Sequence, residues 1–167
     1  MKYFTTGLLL LTFVFACSPT ETVTEPEEDR ADLYAAPGWY NDLELSKADS
    51  VSIYGMAFAA SSDSSDAADQ SKKLAEQNLL LAIDQLTENV RTELSEETGN
   101  FDSPDFIITL RNTIADLNIT GVDFETEHVH YQESIHHIYT RGTIPIGTVK
   151  QLLSQSSLDQ RFVNAID

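Results

Sequence analysis

Apolar residues change their spacing along this chain, and each change marks an element. Val51-Ser52-Ile53-Tyr54-Gly55-Met56-Ala57-Phe58-Ala59 is rich in β-branched and aromatic residues and reads as a strand. Alternation places Val51, Ile53, Gly55, Ala57 and Ala59 on one face and Tyr54, Met56 and Phe58 on the other. The small residues of the first face predict a closely packed helix. Ser61-Ser62-Asp63-Ser64-Ser65-Asp66 then offers several N-cap candidates. From Asp66 to Glu97 the spacing turns helical, with an apolar stripe through Ala68, Ala75, Leu79, Ala82, Ile83, Leu86, Val90 and Leu94. Gly99 is placed to end that helix. Ser103-Pro104-Asp105 restarts a shorter one that runs to about Leu117, with Pro104 suited to its first turn.

Two strands follow as a hairpin, Val122–Gln132 and Ile135–Ile144, turning near Glu133-Ser134. Leu152, Leu153, Leu158, Phe162, Val163 and Ile166 then mark one or two short amphipathic helices within Val149–Ile166. The order β-α-α-β-β-α predicts an α+β fold. A long helix packs on a small antiparallel sheet of about three strands, with an extra C-terminal helix. The face carrying Tyr54, Met56 and Phe58 then needs its own cover, from the C-terminal helix or from a partner.

The N-terminal end reads differently. Lys2 precedes the greasy run Gly7–Phe15, roughly ten residues where a membrane span needs about twenty, so residues 1–16 read as a secretion signal. Cys17 follows directly and is the only cysteine, which rules out an internal disulfide. Val14-Phe15-Ala16-Cys17 resembles a bacterial lipobox, which implies cleavage before Cys17 and lipidation of its thiol. An ordinary signal peptide that contains a cysteine, or a buried core helix, is the alternative. Residues 17–36 read as a disordered acidic tether: Ser18–Asp29 holds two prolines, five acids and one aliphatic residue. Residues 37–167 read as a single domain. Removing 1–16 leaves about 150 residues, enough for one core. The net charge of −17 disfavours nucleic acid and anionic lipid as partners.

Pro37-Gly38-Trp39-Tyr40, the Tyr54-Gly55-Met56-Ala57 strand and an alanine-rich helix with Ala67-Ala68, Lys73-Leu74-Ala75 and Asn78 together resemble the LPP20 family of bacterial lipoproteins. Tyr139-Thr140-Arg141-Gly142-Thr143-Ile144-Pro145 is similar to that family's closing strand. The family helix normally carries an arginine near its middle, where this chain has Gln77-Asn78-Leu79. The resemblance implies a dodecin-like fold, frequent oligomerisation, a place in the envelope of Gram-negative bacteria and no enzymatic activity.

Candidate chemistry is sparse. His128, His130, His136 and His137 all lie in the hairpin. A turn centred between Glu133 and Ser134 would set His130 opposite His137, with His128 on the same face near Tyr139. Three imidazoles so placed would suit zinc or copper, with Glu127 or Glu133 nearby. A strand face on which histidine is merely tolerated is the plainer reading, and a register slip of one residue would scatter the set. No Gly-x-Ser-x-Gly elbow or phosphate-binding glycine loop occurs. Asp102 with Asp105, and Glu96 with Glu97, sit at helix ends where capping explains them, and Asp63 with Asp66 lacks the flanking glycine pattern of a calcium site. Trp39 and Tyr40 are a candidate contact site or a cap on the core, and Tyr54 and Phe58 are candidates for self-association.

The expectation is therefore a non-enzymatic outer-membrane lipoprotein, facing the periplasm or the cell surface. It is anchored through Cys17, needs no resident cofactor, and works through envelope proteins or copies of itself. The alternative is a lipoprotein that binds a metal or small ligand at the histidine hairpin.

Overall fold

The computed structural model describes residues 35–131 and 134–166. The signal segment 1–16, Cys17 and nearly all of the tether lie outside the described residues. The elements run β1 (Ser46–Ala48), β2 (Ser52–Ser61), α1 (Ser64–Thr98), α2 (Pro104–Ala115), β3 (Asp123–Tyr131), β4 (Ile135–Pro145), α3 (Ile146–Ser154) and α4 (Gln160–Asn164). The sheet is antiparallel in the order β1-β2-β4-β3. The fold is α+β, with the long helix α1 packed on this sheet and two short helices at the C-terminal end. The sheet has four strands rather than three. The added strand, Ser-Lys-Ala, is too short and too polar to leave an alternating pattern in the sequence.

Capping chemistry fixes α1 at both ends. The Asp63 carboxylate accepts the Ser65 and Asp66 N–H groups at 2.8 and 3.2 Å. At the other end Gly99 takes φ 70, and its N–H donates to the Ser95 carbonyl. The buried stripe starts at Ala67 rather than Ala68, and it includes the polar residues Ser71 and Thr87. Thr87 turns its hydroxyl back to the Ile83 and Asp84 carbonyls.

Two packing regimes follow along α1. Its first half lies on the sheet through small side chains. Ile53, Gly55, Ala57 and Ala59 face the helix, and Ala67, Ser71, Ala75 and Leu79 meet them. Within this layer the Ser71 and Thr140 hydroxyls share a hydrogen bond of 2.7 Å. Larger side chains build the main core around the second half of α1. Ile83 and Val90, with Leu79 at the junction of the two halves, pack there with Leu110 and Ile114 of α2, Val149 and Leu153 of α3, and Phe162 and Val163 of α4. Phe101, Phe106 and Phe162 stack edge-on or tilted at 5.0 to 6.0 Å. The C-terminal helices therefore extend the helical layer and do not cover the outer face of the sheet.

The hairpin register differs from the expected one. Tyr131 pairs with Ile135 and His130 with His136. Three residues thus separate the paired Tyr131 and Ile135, and the last of them, Ser134, takes φ 66. Hairpin loops of three residues end on such a left-handed position. This shift of one residue carries consequences for the histidines.

Candidate functional site

The face of the sheet turned away from α1 gathers the aromatic residues. Tyr54, Met56 and Phe58 of β2 share it with His137, Tyr139 and Arg141 of β4, because Phe58 pairs with Tyr139 and Met56 with Arg141. The rings of Phe58 and Tyr139 lie 4.9 Å apart, and His137 stands edge-on to Phe58 at 5.1 Å. The cover comes from the segment that precedes β1. Tyr40 packs edge-on against Tyr139 at 4.8 Å, and the Arg141 guanidinium sits 5.2 Å from the Trp39 ring. Arg141 is also paired with Glu125 of β3. Burial raises the Tyr40 and Tyr139 hydroxyls above their ordinary pKa, and for Tyr40 the neighbouring Tyr139 and Asp42 add to the rise.

Trp39 and Tyr40 thus sit on the outer sheet face, joined there to Tyr54 and Phe58, the other two candidate contact residues. Tyr54 and Phe58 are half-buried, as are Trp39 and Tyr40. A shallow cleft of about 280 Å³ opens beside them, lined by Trp39, Glu44, Lys47, Asp49, Tyr54 and Arg141 among others. Asp49 organises one wall. Its carboxylate accepts the Val51 and Ser52 N–H groups, both at 2.8 Å, and the Tyr54 hydroxyl at 3.0 Å. Those bonds hold Asp49 below the usual carboxylate pKa, the two backbone donors contributing most.

The expected trio of His128, His130 and His137 does not assemble. His137 pairs with Val129 and lies on the outer face, whereas the Cα of His128 pairs with Ile138 on the helix-facing side. The three-residue loop is the physical cause, since a shift of one residue sends every side chain of a strand to the opposite face. The structure joins His128 to His136 instead. His128 Nε2 and His136 Nδ1 are 2.9 Å apart, and the rings are 5.0 Å apart. Among the described residues no three histidine, cysteine or acidic side chains converge as a metal cage. Asp63 caps α1, and Asp102 pairs with Arg91, so these acids have structural roles.

Asn78, named in the sequence only as part of the helix motif, has a role that depends on where β1 stops. The Met56 N–H donates to Leu45, and the Met56 carbonyl accepts from the Asn78 side chain at 2.7 Å. Asn78 thereby closes a backbone group that β1 is too short to reach. No helix among the described residues is long and apolar enough to cross a membrane. No family model, curated protein or solved structure matches this chain.

Proposed function

We propose that this chain is a lipid-anchored envelope protein of the LPP20 type that works through protein–protein contact or self-assembly and has no catalytic activity. The observation that carries the reading is the outer sheet face. Trp39, Tyr40, Tyr54, Phe58 and Arg141 meet there, half-exposed, on the side of the sheet away from the main core. Tryptophan, tyrosine and arginine are enriched among the few residues that dominate the binding energy of protein interfaces. The adjoining cleft of about 280 Å³ lies just below the size range of small-molecule pockets and suits a side chain inserted by a partner.

Anchoring rests on the lipobox-like Val14-Phe15-Ala16-Cys17, and Ser18 after the cysteine favours the outer membrane, facing the periplasm or the cell surface. An acylated cysteine supplies the membrane affinity that a chain of net charge −17 would not gain from anionic lipid.

The test is site-specific photocrosslinking of the full chain in cells. A photoreactive phenylalanine replaces Tyr54 in one strain and Leu74, exposed on the outside of α1, in another. Discrete adducts from position 54 alone, identified by mass spectrometry as envelope proteins or as a second copy, are the expected result. Equal adducts from both positions, or none from either, would sink the proposal.

A further inference from the structure

We infer that the His128–His136 pair is a binding site for one divalent transition-metal ion of the zinc or copper class. The two imidazoles come from different strands and converge on a single point. His128 lies on β3 and His136 on β4, and their Nε2 and Nδ1 atoms are 2.9 Å apart. Two nitrogens that close share one proton, so one of them presents a lone pair and the other an N–H. Moving that proton to the far nitrogen of its own ring gives two lone pairs aimed at one position. Zn–N bonds of about 2.0–2.1 Å at the tetrahedral angle set ligating nitrogens about 3.3 Å apart. The pair therefore needs only a small outward shift to accept a metal, and water completes the coordination sphere.

The surroundings favour a cation. The pair is exposed, so a metal can reach it and keep its waters. The chain's net charge of −17 raises the local concentration of divalent ions. Imidazole nitrogens select zinc, copper and nickel over magnesium and calcium, which take oxygen ligands. The position is also secure, because β4 lies between β2 and β3 and is hydrogen-bonded on both sides. Binding to the neutral pair breaks the N–H bond between the rings and remakes it at the far nitrogen of the same ring, and binding to a protonated pair instead releases that proton to water.

His137 supplies an internal control. It is the neighbour of His136 in sequence, yet it lies on the opposite face against Phe58. Zinc chloride is titrated by calorimetry into the full chain in detergent micelles, at an ionic strength that screens the carboxylates. One ion per chain is expected. H128A and H136A should each weaken it by at least the roughly tenfold that losing even a supporting partner costs, and H137A should leave it unchanged. A titration without saturable heat, or one weakened equally by H137A, overturns the inference. A readout that needs no variant guards against misfolding. Substoichiometric Cu²⁺ added to the ¹⁵N-labelled chain should broaden the imidazole resonances of His128 and His136 before that of His137, and broadening in any other order overturns the site.

Discussion

The carbonyl oxygen of Ala75 stands 2.2 Å from the point where a β-carbon on Gly55 would lie, and the Leu79 nitrogen stands 2.3 Å from it. Both are backbone atoms of α1, so no side chain can swing away to make room. The glycine lets the long helix rest directly on β2. Its cross-strand partner is Gly142, against which the Phe124 ring packs at 3.1 Å from a would-be β-carbon. Glycine on one strand and an aromatic ring on the next fill the same layer.

Gly55→Ala should therefore be severe. The substitution lifts α1 from the sheet and breaks the contacts of Ala67, Ser71 and Ala75 together. A loss of about 3 kcal/mol or more is expected, the upper range of overpacking. Urea unfolding followed by circular dichroism measures it. A loss below about 1 kcal/mol would mean that helix and sheet are not in direct contact.

Acid should unfold the protein in part through Glu88. Arg91 donates Nε and Nη2 to its two carboxylate oxygens, at 3.0 and 2.7 Å, and also pairs with Asp102 ahead of α2. The Arg91 hydrogen bonds hold Glu88 below its ordinary value of 4.5. A depressed carboxylate contributes stability that is present above its unfolded pKa and lost as pH falls through the folded one. Glu88→Gln should lower the urea midpoint at pH 7, and its curve should approach that of the parent only as pH falls below 4.5 and through the depressed folded value. Parallel curves from neutral pH to acid would remove Glu88 from the account.

A conservative change tests the buried hydroxyls. Ser71 Oγ lies within hydrogen-bond distance of both Thr140 Oγ1 and the Ala68 carbonyl, and Thr140 is fully buried. Thr140→Val keeps the shape and removes one partner, while Ser71 keeps its bond to Ala68. A loss of about 1–2 kcal/mol is expected, and Ser71→Ala in the same background should then cost less than it does alone. Additive losses in that double-mutant cycle would show that the two hydroxyls are uncoupled.

Much of this architecture was legible because it is local. The alternation in Ile53–Ala59 placed Gly55 against a helix, and the N-cap candidates of 61–66, Gly99 and Pro104 marked helix ends by local chemistry alone. What lies in the described residues but was not legible depends on contacts distant in sequence. Ser46–Ala48 becomes a strand only because the edge of β2 is there to pair with it. Ser71 looks like a break in the apolar stripe until Thr140 is placed opposite. Trp39 and Tyr40 carried an aromatic signal, but their seat on Tyr139 and Arg141 required the folding-back of a segment without periodicity. The histidine set failed on a single count, the number of residues in the hairpin loop.

That loop makes the last prediction. Ser134 sits at φ 66, where a side chain costs energy and glycine does not. If the three-residue loop sets the pairing of His130 with His136, the left-handed position is its pivot. Ser134→Gly should then be neutral or stabilising by up to about 1 kcal/mol, despite the added freedom of the unfolded chain. Ser134→Val should destabilise by about 1–2 kcal/mol, because a β-branched residue resists that region. Cross-strand nuclear Overhauser contacts between the backbones of residues 129 and 137 should persist in the glycine variant. A glycine variant less stable than the parent, or contacts that move to residues 130 and 137, would mean that another feature sets the register and keeps His137 away from His128.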